Sequence, residues 1–458
     1  MEQKRPLTVW MVALINVAAI TNIKNFPLMA EYGLSTVFFL VLCSLIFFIP
    51  ISLVSAELAS GWPDRGLYTW VREGLGPRLG FMAIWLQWIA NVIWYPTILS
   101  FIASTSAYLF MPSLAENKAY VITVIMITFW AATFVNFLGM RVSGWISSLA
   151  ALFGTILPIV LIIFMGLFWM VKGNPLQIEF SWDALIPNLT SFNQLVLLSG
   201  FFLGLTGMEM SAVHAKEVQH PQKNYPKAIF LSATLIILLS ALGSVAIAAV
   251  VPFQDIGLTA GSMEAFSALF SAFNIRWAIP LIAAIMTFGA LGMMSTWIVG
   301  PSRGLLAATE HGDLPPLFHK RNKQNMPVAI FLTQAVIVSL LSSVFFMMPS
   351  VSASYFILVA LAASLNMVMY ILMFGAAIRL RKTHPNVMRS YRVPALTFIS
   401  LLGISGPLFV LVLDFFPPSQ LDTGSFILYE LITVGGSLLF CILPLFIYNA
   451  RKPSWKNL

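Results

Sequence analysis

Residues 20–33 read ITNIKNFPLMAEYG, placing a lysine, two asparagines and a proline inside the first apolar stretch of the chain. A helix crossing lipid without interruption has no use for such residues, because a bilayer core of about 30 Å asks for roughly 20 predominantly apolar residues in a row. Their meaning depends on what surrounds them.

The surroundings are strongly apolar. Of 458 residues, 59% are hydrophobic and 9% charged, with a mean hydropathy of +0.89, far from soluble averages. Twelve runs are long enough to span, at about 8–32, 35–60, 79–112, 119–139, 145–171, 189–215, 227–252, 276–309, 328–349, 352–378, 395–416 and 424–448. Stretches such as VIVSLLSSVFFMM (336–348) lack the alternation of a membrane β-barrel. The expected fold is an all-α polytopic membrane protein of 12 transmembrane helices. The first run is too long for a signal segment, has no small-residue cleavage site after it, and is read as retained. Cys43 and Cys441 fall inside apolar runs, as buried free thiols do.

Lysines and arginines set the orientation. They cluster at Lys4 and Arg5, Arg65 to Arg78, Lys216 to Lys227, Lys320 to Lys323, Arg379 to Arg392 and Arg451 to Lys456. Alternate connections hold Glu116, Glu179, Asp183, Asp255, Glu264, Asp422 and Glu430 beside only Lys118, Lys172 and Arg276. The positive-inside rule therefore predicts both termini in the cytoplasm. The net charge of +8 speaks for topology and contact with anionic lipid headgroups, with no nucleic acid as partner.

A weak repeat shows in lengths rather than letters. The third and eighth runs are the longest, and each follows a short amphipathic segment, LYTWVREGL (67–75) and SMEAFSALF (262–270). The first segment lies inside and the second outside. A unit of five helices is odd, so a second copy must be inverted, as in many secondary transporters. The expected units are 1–175 and 185–382, with helices eleven and twelve (393–450) added, all forming one integral membrane domain.

Under that repeat the first and sixth helices correspond, and both are interrupted. Helix six carries GLTGMEM (204–210), where Gly204 and Gly207 permit unwinding and Glu209 brings a carboxylate. Helix one is broken by Asn22, Lys24, Asn25 and Pro27, next to Thr21. A break in lipid leaves backbone groups unsatisfied and survives only where it lines a cavity or meets a ligand. One such Pro or Gly is ordinarily a kink; two at symmetric positions, each with an ionisable group, point to a binding site. Exposed helix N-termini attract a carboxylate and carbonyl ends an ammonium, the two ends of an α-amino acid.

Lys24 lies about 16 residues into its helix, about 24 Å along it, too deep to snorkel. It is expected to face a vestibule, pair with Glu209 or meet an anionic substrate group. Lys24 and Glu209 are candidate proton carriers. His214 and Glu217 follow Glu209 at five and eight residues, where one broad helical face would lead a proton inward, although Glu217 reads first as a solvated helix end. Glu57 is expected to cap its helix or pair with Arg65 or Arg72. Trp62, Tyr68, Trp70, Trp94 and Tyr95 read mostly as interfacial anchors. No Walker loop is present. His220, His311, His319 and His384 fall in connections, so haem ligation and a membrane-embedded enzyme are not expected, and no metal or other cofactor is called for.

The stretches AELASGWPDRGLYTWVREGLGPRLGF (56–81), GLTGMEMSAVHAKEVQHPQKNYPKAI (204–229), STWIVGPSRGLLAATEHGDLPPLFHKRNKQNMPVAI (295–330) and YRVP (391–394) resemble the amino acid/polyamine/organocation transporter superfamily, and within it the bacterial glutamate/γ-aminobutyrate antiporters. The resemblance covers nearly the whole chain. It implies a LeuT-like five-plus-five inverted repeat with discontinuous helices 1 and 6, alternating access, and a multi-pass protein of the bacterial inner membrane. It also implies exchange of an amino acid for a related amino acid or decarboxylated amine, with a proton-coupled symporter as the alternative, and it leaves homo-oligomer formation open. The family's helix-six glutamate maps onto Glu209 and a helix-ten tyrosine onto Tyr370. Where the antiporters carry a tyrosine and an acidic residue, this chain has Lys24 and Asn25, and Asn366 replaces a further tyrosine. The glycine-rich break of many relatives is absent from AAITNIKN (18–25). The sequence ends at Leu458, soon after helix twelve, so the C-terminal plug that closes the antiporter at neutral pH is expected to be missing.

Overall fold

The computed structural model describes residues 8–62, 66–138, 152–187, 192–211, 218 and 220–455. Among them the regular structure is entirely helical, with one isolated bridge between Arg321 and Pro327. We label α1 (Val9–Ile20), α2 (Phe26–Ala30), α3 (Gly33–Gly61), α4 (Gly66–Leu75), α5 (Pro77–Ala107), α6 (Lys118–Asn136), α7 (Gly154–Val171) and α8 (Leu198–Gly204). The second half holds α9 (Met208–Ser211), α10 (Pro221–Val250), α11 (Gly261–Ala272), α12 (Ile279–Thr309), α13 (Val328–Leu341), α14 (Val351–Thr383), α15 (Leu396–Leu413) and α16 (Phe426–Asn449).

Among the described residues ten helices are long and apolar enough to cross a bilayer, and eleven if the bent pair at residues 9–30 counts as one. The segment expected as the sixth span is broken into α8 and α9, each too short to cross alone. The chain is a multi-pass membrane protein.

Position in the bundle follows composition. The most apolar window of α5 is 89% buried and that of α14 is 78% buried, whereas that of α16 is 17% buried. The first two form the centre, and α16 turns Leu438, Leu439 and Phe446 outward, where lipid replaces the core. Helices α5 and α12 run antiparallel: Ile84 packs at Gly304, and the Tyr95 hydroxyl donates to the Trp297 carbonyl at 2.8 Å.

The two amphipathic segments form helices as expected. Helix α4 buries Leu67, Tyr68, Trp70, Val71 and Gly74, a 3.6-residue stripe. Tyr68 donates to Asp313 at 2.7 Å just beyond α12, and Asp313, fully buried, also meets Arg72 at 3.6 Å and Arg451 at 3.4 Å. Helix α11 lies at the other end of the bundle, where Ser104 near the end of α5 donates to Thr259 at 2.8 Å.

Two expectations are corrected. Glu57 does not take Arg72. Arg381 grips it bidentately, one contact at 2.7 Å, and the Val393 amide donates to it at 2.7 Å. Arg389 stands 3.4 Å away, and Arg65 lies outside the described residues. Tyr68, Trp70 and Tyr95 are not interfacial anchors, since each is 1% exposed or less. Each hydroxyl or indole N–H has a protein partner, Trp70 donating to the Trp62 carbonyl at 2.8 Å.

Candidate functional site

The break in the first span starts where α1 runs out of carbonyl partners. Asn22 leaves helical geometry at φ −140° and ψ 121°, and its side chain caps the 3₁₀ turn Ile23–Asn25 by accepting the Lys24 amide at 3.0 Å. The two helical segments meet at 52°. Ser262 of α11 donates to the freed Ile23 carbonyl at 3.1 Å, so the outlying amphipathic helix supplies a partner that lipid cannot. Phe26 then seats α2 against Gly243 of α10. A Cβ there would lie 2.2 Å from the ring, and only glycine permits that approach.

The second break faces the first. Helix α8 ends at Gly204, and Gly207 adopts φ +109° before α9 starts, a conformation that favours glycine. The Gly207 amide donates to the Tyr370 hydroxyl at 3.1 Å, and that hydroxyl donates to Glu209 at 2.6 Å. Gln87 of α5 donates to the other carboxylate oxygen at 3.2 Å.

Between the breaks lies a cavity of about 60 Å³, room for about four to six waters at ~10–15 Å³ each and hence for a small polar molecule. Asn22, Lys24, Asn25, Gly204, Gly207, Glu209 and Asn366 line it. Thr21 does not, and among the described residues its buried hydroxyl has no partner. Tyr370 stands behind Glu209 rather than on the wall. His214, with Glu217, lies outside the described residues.

Lys24 is 1% exposed, yet among the described residues no carboxylate pairs with it. Its ammonium donates to Tyr355 at 3.0 Å and to Thr97 at 3.4 Å. It also stands 4.8 Å from the Tyr355 ring centroid and 5.7 Å from that of Trp94, within cation–π range. Of the three expected alternatives for Lys24, the ion pair with Glu209 does not form. The site therefore holds an amine and a carboxyl group on one cavity, each engaged by neutral partners.

Sequence reasoning missed Thr97, Tyr355, Gln87, Met293 and Trp297, and misassigned Trp94, which lines the cavity rather than an interface. All sit on α5, α12 or α14, the three long helices around the breaks. Asn366 also projects from α14, its amide donating to the Ala362 carbonyl at 3.0 Å. Among the described residues no group of His, Cys, Asp or Glu could hold a metal ion.

Comparison with known proteins bears on this arrangement. An uncharacterized transporter of Legionella pneumophila is 42% identical over 448 residues, 96% of this chain and 96% of that protein. A glutamate/γ-aminobutyrate antiporter of Lactococcus lactis is 31% identical over 445 residues, 95% of this chain and 88% of its own length. A probable agmatine/putrescine antiporter of the same species is 22% identical over 424 residues, 90% of this chain and 88% of its own. The amino acid permease model matches residues 7–438. The broken helices, the small polar cavity between them and this match together place the chain in the amino acid permease family of the amino acid/polyamine/organocation superfamily, whose members are transporters and not enzymes.

Proposed function

We propose that the chain exchanges an amino acid for a related amino acid or its decarboxylated amine across the bacterial inner membrane, by alternating access and with both termini in the cytoplasm. The observation that carries the proposal is that Lys24 and Glu209 share one cavity without pairing. A site that neutralised itself would bind nothing charged, whereas one that keeps its charges apart offers each to a ligand. The substrate carboxylate would meet the amides of the turn at Asn22 to Pro27, and its ammonium the carbonyls before Gly207 together with Glu209. Lys24 and Asn366 would read the side chain, the ammonium favouring an acidic or neutral one over a cationic one.

The proposal includes twelve spans and a five-plus-five inverted repeat at 1–175 and 185–382, with 393–450 added. The antiparallel α5 and α12, each following an amphipathic helix at opposite ends of the bundle, support it, as do the breaks at residues 21–25 and 205–207.

Counterflow in proteoliposomes tests the reading. Vesicles loaded with each of a panel of unlabelled amino acids and amines should take up labelled glutamate only when the internal load is a substrate, and Lys24→Tyr should shift the preferred panel. Uptake that ignores the load and follows an imposed pH gradient would replace exchange with proton symport.

A further inference from the structure

A second polar recess opens at the end of the bundle remote from the basic loops. Ser352 on its wall begins α14, and Arg381 near the opposite end of that helix lies 29 residues on, about 44 Å at 1.5 Å per residue. Its walls carry Glu31, Glu116, Asp255 and Glu264 beside the apolar Phe253 and Ile256, around an open volume of about 520 Å³. Among the described residues no lysine or arginine pairs with any of the four; Lys118, two residues after Glu116, gives its ammonium to the Met348 carbonyl at 2.6 Å.

Glu31 marks the recess as more than a solvated acidic patch. It is 9% exposed and lines the recess, and among the described residues its carboxylate accepts no hydrogen bond. Its carboxylate, without a partner among the described residues, therefore opens onto the recess, where something from outside can complete it. Glu264, by contrast, is held by the Gly257 amide at 2.9 Å. Glu31 also terminates α2, six residues or about 9 Å from Asn25 on the central cavity, so the recess and the cavity lie at two ends of one short rod.

The occupant's chemistry follows from spacing. No three carboxylates among the described residues converge closely enough to hold a metal ion. Dispersed acids alternating with aliphatic and aromatic walls suit a cation that carries a hydrocarbon body. We propose that this recess binds an organic ammonium ion, a primary amine or a linear diamine, ahead of the central cavity, with Glu31 as its innermost counter-charge.

Burial supports the assignment by pushing the Glu264 carboxyl up to about 7, and it raises Glu116 as well. Asp255 faces them from the same recess. An ammonium binds the ionised forms, so affinity should rise as pH rises through about 7, well below the pH near 10.4 at which a typical alkyl amine loses its own proton.

The test is equilibrium binding of labelled 1,4-diaminobutane to the full-length protein in nanodiscs, with Glu209→Gln introduced to disable the central cavity. Without a gradient or flux, its outcome is separate from that of the exchange reading. Binding should persist in Glu209→Gln, tighten about tenfold between pH 6 and pH 8.5, and weaken about tenfold on adding Glu31→Gln. The exposed Asp255→Asn, which touches no packed core, should weaken it severalfold and guards against a folding artefact. Binding that disappears with Glu209→Gln, or that ignores both recess substitutions, overturns the proposal. Displacement by micromolar calcium would overturn it in favour of a metal site.

Discussion

Tyr370 donates to Glu209 at 2.6 Å while its oxygen accepts the Gly207 amide at 3.1 Å, so one phenol on α14 holds both the unwound backbone and the carboxyl group of the second break. The two contacts explain how a peptide amide at membrane depth finds a partner where no helix continues. They also make the break's geometry depend on a side chain 163 residues away.

Tyr370→Phe keeps the ring and removes both contacts. A hydrogen bond to a charged group contributes about 1.5–3 kcal/mol, which as lost transport corresponds to about a tenfold fall or more. Initial uptake per mole of reconstituted protein should drop by that factor while chromatographic behaviour stays that of wild type. Rates within twofold of wild type would show that the phenol does not organise the site.

Lys24→Met separates a structural lysine from a functional one. Its ammonium is buried among Tyr355, Thr97 and Trp94 with no anionic partner among the described residues, and removing an unpaired buried charge relieves desolvation. Thermal stability should hold or rise, and transport of any substrate that needs the positive charge should fall about tenfold or more. A lower melting temperature with unchanged transport would assign Lys24 to the scaffold.

The two breaks were legible because polar and glycine residues stand out in apolar runs, and the amphipathic helices because their stripe repeats at 3.6 residues. The cage around Lys24 was not. In a membrane sequence Trp94 and Tyr355 read as belt or core, and only packing decides which face points at a cavity. The partner of Glu57 was hidden by distance along the chain: Arg381 is 324 residues away, while Arg65 and Arg72 were the nearest cations by number. Local sequence indicates where backbone is broken, and long-range packing decides which side chains complete it.

Glu57→Gln should separate fold from function in the opposite direction. Glu57 is 3% exposed and joins α3 to Arg381, Arg389 and the Val393 amide. Removing one partner of a buried charge pair costs about 3–5 kcal/mol. The variant should lose abundance and melt well below wild type, and whatever folds should transport normally per molecule. Normal stability with lost transport would move this cluster from scaffold to gate.

The remote recess gives stability a pH dependence whose sign follows from burial. A carboxyl raised from 4.5 to about 7 at Glu264 holds more protons in the folded than in the unfolded chain between those limits. Its stabilising contribution is therefore present at acidic pH and is lost as pH rises through about 7. The melting temperature in nanodiscs should fall from pH 5 to pH 9, and Glu31→Gln with Glu264→Gln should flatten that slope, because a neutral amide has no proton to lose. Diaminobutane at pH 9 should restore part of the lost stability to wild type and none to the double variant, since a ligand stabilises only the fold that binds it. An unchanged slope in the double variant would mean that other groups, and not these buried acids, govern the acid preference.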